Sequence, residues 1–202
     1  LFDGMKGLDR KMPEKITTDI FETIKAVSFV INSHETFDHE QQKKILGLAR
    51  ELGAAMGLGA HETEQLECAV LLHDIGQIKV RETILKKPGK LTREEFIEVQ
   101  AHPIESEKII SMMPKMEWAA QWSRWHHEWW DGSGYPDQLW GEAIPLPSRI
   151  LVVVDSFGAM TSDRPYRTAM TKEEALMELN LMAGIQFDPN VVAVFETIIN
   201  KM

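Results

Sequence analysis

The segment Leu66-Glu-Cys-Ala-Val-Leu-Leu-His-Asp-Ile-Gly76 joins an apolar run to a His-Asp pair in a chain of 202 residues. The apolar residues predict a buried helix from about residue 62 to His73, and no helical period continues from Gly76 to Lys90, where we predict a loop. The pair therefore comes at the end of a core helix. There the two oxygens of Asp74 could bridge a pair of metal ions while His73 binds one of them.

Further nitrogen and oxygen ligands follow at His102, His126, His127 and Asp155. First-row transition metals bind such groups, and the set is too large for one ion, so we predict a site with two or more metals. His126 and His127 lie on a predicted helix and point about 100° apart, so each can reach a different ion. Two ions roughly 3.5–4 Å apart activate water without a side-chain base and stabilise a phosphate under in-line attack. The pattern favours a phosphodiesterase.

Apolar residues recur at helical spacing through most of the chain, which predicts an all-α fold. We predict helices at 16–30, 45–56, 62–73, 92–102, 103–113 and 116–129 and from about 149, 171 and 188, with a loop at 131–147 as well. The β-branched run Ile150 to Val154 suits a strand by propensity, but it continues a helical face to Gly158, so we predict a helix. The tryptophans at 118, 122, 125 and 129 are expected to pack in the core or along a homodimer seam.

Composition excludes several classes of protein. The net charge of −9 argues against binding polymeric nucleic acid, which depends on many lysines and arginines. The longest apolar runs fall well short of the ~18–20 residues that cross a bilayer. The single cysteine, Cys68, excludes an internal disulfide and suits a reducing compartment. We therefore expect a soluble, cytoplasmic chain without membrane contact, and the absence of an initiating methionine suggests a piece of a longer protein.

A series of short motifs covers roughly residues 35 to 200. They are His73-Asp-Ile-Gly76, Ile84-Leu-Lys-Lys-Pro-Gly-Lys-Leu91, His102-Pro103, His126-His-Glu128, Asp131-Gly-Ser-Gly-Tyr-Pro136, Ile144-Pro145, Arg149-Ile150, Asp155, Asp163-Arg-Pro-Tyr166 and Gln186-Phe-Asp-Pro189. In content and order they resemble the HD-GYP family of the HD superfamily. The resemblance implies a helical bundle with the metal site between helices. It also implies hydrolysis of cyclic di-GMP to the linear dinucleotide or GMP with two or three iron or manganese ions.

The same resemblance implies roles for particular residues. The implied metal ligands are His73, Asp74, His102, His126, His127 and Asp155. Tyr135 would lie near the substrate, and Arg164 and Arg167 near its phosphates or guanines, although these arginines could equally pair with acidic residues. Residues 35–202 would form the phosphodiesterase domain, and residues 1–34 a connecting helix after an upstream sensory or receiver domain.

Two positions depart from the family pattern. Gln77 stands at the catalytic centre where the family usually has a lysine thought to touch the scissile phosphate, and an amide lacks that charge. The first ligand helix is offset by two residues. Glu35 and His39 have the family's spacing for metal ligands, but counting back from Met56 puts Gln41 at the histidine position. We predict His39 as the ligand, with Glu35 as a further one.

Three functions stay open on this evidence. The first is a cyclic-dinucleotide phosphodiesterase, and the second is a weak or inactive domain that binds a cyclic dinucleotide or a protein partner, which Gln77 favours. The third is hydrolysis of another phosphate ester, against which the Gly-Tyr-Pro loop argues. Departure of the 3′ oxygen needs a proton, and Glu128 could supply it or could hydrogen-bond to a ligand histidine.

Overall fold

A computed structural model describes residues 16, 18–31, 39–163 and 168–202, and within these ranges the chain is helical without a β-strand. Its α-helices are α1 Thr18–Ile31, α2 His39–Ala55, α3 Ala60–Leu72, α4 Glu82–Leu85, α5 Arg93–Gln100, α6 His102–Ile110, α7 Glu117–Arg124, α8 Leu146–Met160, α9 Lys172–Leu181 and α10 Pro189–Ile199. Short 3-10 helices span Ile75–Lys79 and Gly141–Ala143. The prediction of an all-α fold is confirmed. No helix in the described ranges is both long and apolar enough to cross a membrane.

Helix α8 is the centre of the core. Ile150, Leu151, Val153, Val154 and Phe157 are all fully buried. Because neighbouring helices cover it on several sides, an apolar run that propensity alone would assign to a strand is stable as a helix. The sequence-based prediction of a helix here is confirmed.

Helices α2 and α3 pack beside α8 and carry the next layer of the core. Leu48 and Leu52 of α2 and Leu66 of α3 are buried in the same cluster as α8. Helix α1 packs against α3, because Ile24 belongs to that cluster and the Ser28 hydroxyl donates to the Leu71 carbonyl at 2.6 Å. The segment before the His-Asp pair is therefore held from two sides.

Helix starts follow the predicted capping residues. The Thr92 hydroxyl accepts from the Glu95 N–H at 3.3 Å, and the Thr171 hydroxyl accepts from the Glu174 N–H at 3.1 Å. Asp188 caps α10 through the Asn190 N–H at 2.8 Å. These caps satisfy N–H groups that the first helical turn leaves without a partner.

Three predicted assignments are wrong, and one of them is the loop at 131–147, which contains the 3-10 helix Gly141–Ala143 and the first residues of α8. The segment 76–90 is not all loop, because it contains most of the 3-10 helix Ile75–Lys79 and the one-turn helix α4, which are too short for an apolar period. The helix predicted to reach residue 129 ends at Arg124. There the Nδ1 of His126 contacts the Ser123 carbonyl at 2.6 Å, a carbonyl that the His127 N–H would use in a continuing helix.

The tryptophans of this segment consequently do not form one continuous helical stripe. Trp122 is buried in the core and its ring lies 5.8 Å from that of Trp118, which is as predicted. Trp125 follows the end of α7, and its indole N–H donates to Asp137 at 2.7 Å. Some of the four tryptophans therefore pack in the core as predicted, and the homodimer stays a prediction.

Candidate metal centre

Three segments bring imidazoles and a carboxylate to one place in the bundle. Asp74 follows the end of α3, His102 begins α6, and His126 and His127 lie in the turn after α7. Each of these four residues offers a ligand atom, and the four atoms lie within 4.8 Å of one another. Spacings of this size fit side chains that share one or two bound cations.

The Asp74 carboxylate lies between two groups of candidate ligands. Its Oδ1 is 3.0 Å from His102 Nε2 and 3.7 Å from His126 Nε2. Its Oδ2 is 3.4 Å from His73 Nε2, and that nitrogen is 3.5 Å from Asp155 Oδ1 on α8. The geometry thus brings together all six residues that sequence motifs single out around the His-Asp pair, with one carboxylate oxygen directed to each side.

The second ring nitrogen sets the tautomer of three of these histidines. The Nδ1 atoms of His73, His102 and His126 lie 2.9, 2.7 and 2.6 Å from the backbone carbonyls of Val70, Val99 and Ser123, three residues earlier in each case. A nitrogen that faces a carbonyl carries a proton, so in the neutral ring, which is the form that binds a metal, the lone pair is on Nε2. In that form the three Nε2 lone pairs lie on the side of the Asp74 carboxylate.

This arrangement fits a bound cation. His102 Nε2 and His126 Nε2 lie 3.3 Å apart. With Nδ1 protonated on both rings, the two facing nitrogens are both acceptors, and they repel unless a cation or an extra proton lies between them. The donor set, imidazole and carboxylate, is the one that divalent transition metals prefer.

The electrostatics of the cluster also favour added positive charge. Burial lowers the pKa of His73, but the Asp74 and Asp155 carboxylates outweigh it and raise that pKa to about 10. Burial acts to raise the pKa of Asp74, yet the neighbouring histidines hold it well below its usual range. Burial lowers the pKa of His126 and His127, so these rings stay neutral, the form that binds a metal.

Close backbone packing fixes the His-Asp turn against α6. The Ser106 hydroxyl donates to the His73 carbonyl at 2.5 Å and accepts from the Gly76 N–H at 2.9 Å. A Cβ on Gly76 would lie 2.1 Å from the His102 carbonyl oxygen. Only glycine lets the segment that carries Asp74 approach the helix that carries His102 this closely.

The loop at 131–137 places an aromatic ring on the candidate metal cluster of Asp74, His102, His126 and His127. The Tyr135 ring stacks on His127, with centroids 4.8 Å apart and planes inclined by 23°. The Tyr135 N–H donates to the His127 carbonyl at 3.1 Å. A Cβ on Gly134 would lie 2.3 Å from the Trp129 nitrogen, so the loop lies against the turn that carries the histidines.

Glu128 takes a role that sequence reasoning missed. Its side chain is buried, and its carboxylate accepts from the Asp137 N–H at 2.6 Å and the Leu139 N–H at 3.0 Å. Burial raises the pKa of Glu128, and the backbone donors oppose that shift. The carboxylate holds the tyrosine loop rather than bonding to a ligand histidine, and no motif spacing signals such a contact.

Arg124 fastens the same loop to α6 and α7. Its Nε and Nη2 donate to the two oxygens of Asp137 at 2.7 and 2.9 Å, and its Nη1 donates to Glu107 at 2.5 Å. Two parallel hydrogen bonds to one carboxylate fix orientation as well as distance. In the sequence Arg124 looks like any surface arginine, so this contact could not be identified there.

Known proteins with similar sequences identify the family of this chain. Residues 25–191 match the HD domain family. The chain belongs to the HD domain family, HD-GYP type. It is 37% identical over 147 residues to the 3′3′-cGAMP-specific phosphodiesterase 1 of Vibrio cholerae and 34% identical over 178 residues to a cyclic di-GMP phosphodiesterase of Thermotoga maritima. These alignments cover 73% and 87% of this chain but 34% and 48% of the relatives, so the chain spans about a third to a half of their length.

A solved structure supports the fold. The crystal structure of a cyclic GMP-AMP specific phosphodiesterase of Vibrio cholerae superposes with a TM-score of 0.69 at 21% sequence identity. The match covers 89% of this chain and 48% of the other. At this identity the likeness establishes a shared helical architecture and no more.

Two residues at which the sequence departs from the HD-GYP pattern, Gln77 and Gln41, contact Asp74 and α8. Gln77 belongs to the 3-10 helix that follows Asp74, where its N–H donates to the Asp74 carbonyl at 2.9 Å. Gln41 of α2 donates through Nε2 to the Gly158 carbonyl at 3.3 Å, one turn along α8 from Asp155. His39 begins α2, but its side chain lies outside the described residues, as do Glu35, Arg164 and Arg167.

Proposed function

We propose that this HD-GYP domain is a metal-dependent phosphodiesterase that hydrolyses cyclic dinucleotides. One observation carries the proposal, namely the two acceptor nitrogens of His102 and His126 that face each other at 3.3 Å beside the Asp74 carboxylate. Such a pair is stable around a cation and is costly without one. The names of the curated relatives supply the substrate class.

The ligand assignment follows the two oxygens of Asp74. On the Oδ1 side His102, His126 and His127 would hold one ion, and on the Oδ2 side His73 and Asp155 would hold a second. Iron or manganese is our choice of metal. Two such ions, when bound, supply a nucleophilic water at neutral pH and neutralise charge on the phosphate.

The remaining residues of the proposed site bind and orient the substrate. Burial raises the pKa of the Tyr135 hydroxyl, so it remains a hydrogen-bond donor at neutral pH. Glu128 and Arg124 would hold the Tyr135 loop in place against the cluster. Arg164 and Arg167 are proposed to meet the phosphates or guanines.

Cyclic di-GMP is the substrate we propose, and 3′3′-cGAMP is the competing one. Protein loaded with Fe²⁺ or Mn²⁺ without oxygen is incubated with each compound, and chromatography follows the linear dinucleotide and the mononucleotides. We expect turnover of cyclic di-GMP by the wild type and its loss in Asp74→Asn. Glu94→Gln, which alters an exposed carboxylate of α5, is the matched control and should keep full activity.

A binding module is the second candidate, and Gln77 is the residue that favours it. A neutral amide cannot balance the charge that develops on a phosphoryl oxygen. Tight binding of cyclic di-GMP without turnover would support this candidate and overturn the proposed activity. Turnover of other phosphate esters alone would support the third possibility from the sequence.

The domain organisation, the oligomeric state and the cellular location of the protein are also proposals. We propose that residues 35–202 form the phosphodiesterase domain and that residues 1–34 connect it to an upstream sensory or receiver domain. Light scattering of the purified protein tests for a homodimer, and fluorescence microscopy of a tagged protein tests the expected cytoplasmic location.

A further inference from the structure

Phe96 is an exposed aromatic residue on α5 that the metal cluster does not use. Its side chain is 47% exposed, and α5 buries none of its residues. Single exposed apolar residues are common in folded proteins, so exposure alone carries no argument. The residues around Phe96, however, indicate a function for its ring.

A row of aromatic rings leads from the metal cluster to Phe96. His127 belongs to the cluster, and the Tyr135 ring stacks on it at 4.8 Å. The Phe96 ring meets Tyr135 edge to face, with centroids 6.5 Å apart and planes inclined by 76°. An exposed aromatic surface therefore begins two rings away from the proposed metal ligands.

The helix that carries Phe96 is held in place, and two of its three glutamates are paired with cations. Glu98 binds Arg81 at 2.9 Å, and Glu95 binds Lys87 at 2.6 Å while closing the capping box at Thr92. The carboxylates on either side of Phe96 thus have cationic partners. The approach to the ring repels an anionic ligand less than the net charge of the chain suggests.

We propose that the exposed Phe96 ring, which Tyr135 supports edge to face, is an aromatic shelf that stacks one nucleobase of a cyclic dinucleotide whose phosphate lies at the metal cluster. This inference rests on the proposed function and adds a base-binding subsite to it. Every nucleobase has a π-face, so stacking tolerates both guanine and adenine. The shelf would therefore contribute to binding of cyclic di-GMP and of 3′3′-cGAMP alike.

The test separates base stacking from folding and metal binding. Phe96→Ala removes the ring, Phe96→Trp restores a stacking surface, and Ile97→Ala removes the next exposed apolar side chain of α5 as a matched control. For each variant we measure KM and kcat for both cyclic dinucleotides and the Kd of a phosphorothioate analogue of cyclic di-GMP. Metal content and the thermal unfolding midpoint are measured in parallel.

We expect Phe96→Ala to raise KM and Kd by about fivefold to thirtyfold, with kcat and metal content unchanged. Phe96→Trp should recover most of the affinity, and Ile97→Ala should match the wild type. If the wild type binds and hydrolyses the ligands and Phe96→Ala does both equally well, the shelf is refuted and the proposed function stands. If the wild type neither binds nor hydrolyses either compound, both proposals are refuted.

Discussion

Replacement of Gly76 by alanine tests whether close backbone packing sets the distance between Asp74 and His102. The added Cβ would lie 2.1 Å from the His102 carbonyl oxygen and 2.6 Å from the Ser106 nitrogen. An ordinary contact begins near 3.4 Å, so the two segments must separate by about an ångström. The φ of Gly76 is outside the left-handed region, and the cost therefore comes from this contact alone.

The magnitude follows from the atoms that must move. Both nearest neighbours are backbone atoms, so we place the destabilisation near the upper end of overpacking, about 3 kcal/mol. In a chain of this size that lowers the unfolding midpoint by about 6–12 °C. Metal distances tolerate about 0.2 Å, so an ångström between Asp74 and His102 should weaken metal binding by at least about tenfold.

Gly47→Ala is the matched control for this substitution. Gly47 lies inside α2, is exposed, and has no atom within 4 Å of an added Cβ. Alanine there should stabilise the helix by about 0.5–1 kcal/mol and leave metal binding unchanged. Differential scanning fluorimetry and elemental analysis of both variants give the answer. A Gly76→Ala protein that melts and binds metal as the wild type does would refute the packing argument.

Three further predictions concern the site. Each carboxylate oxygen of Glu128 accepts from one backbone N–H, and Glu128→Gln replaces one of these two oxygens by an NH₂ group. This variant should lose about 1–3 kcal/mol of folding free energy, measured by chemical denaturation, and should have a higher KM, measured by steady-state kinetics. An unchanged KM would mean that the loop of Tyr135 does not bind substrate. Because a neutral amide cannot balance charge on the phosphate, Gln77→Lys should raise kcat at least about tenfold at equal metal content, and unchanged turnover would refute that argument. Burial lowers the pKa of His73, but its carboxylate neighbours raise that pKa to about 10 in the metal-free protein. Metal binding at pH 8 should therefore release about one proton from His73, and the metal affinity should rise about tenfold per pH unit up to pH 10. Calorimetry in buffers of different ionisation enthalpy measures the released proton, and a pH-independent affinity would contradict the assignment of His73 as a metal ligand.

Much of the fold follows from local sequence signals. The capping residues Thr92, Thr171 and Asp188 mark helix starts that the structure confirms. The apolar run of α8 was ambiguous by propensity, and the helical face that it shares with Gly158 resolved it. The predicted helix end at residue 129 is wrong because the His126 side chain competes with the backbone for the Ser123 carbonyl at the end of α7.

The candidate site also has a part that the sequence predicts and a part that it does not. The motif histidines and aspartates converge as the sequence motifs suggest, because each follows, begins or lies on a helix whose position the core sets. The contacts of Glu128, Arg124 and Phe96 could not be identified in the sequence, since their partners Asp137 and Tyr135 lie in a loop whose path depends on the whole bundle. Such contacts have no periodic or spacing signature.

The central claim is that Asp74 and its histidines form a site for a cluster of cations. Elemental analysis of protein loaded with iron or manganese and then desalted tests it most directly. The account predicts about two or more ions per chain in the wild type and a loss of at least about one in a folded Asp74→Asn variant. A wild-type protein that retains no metal, or an Asp74→Asn variant that retains as much as the wild type, would contradict it.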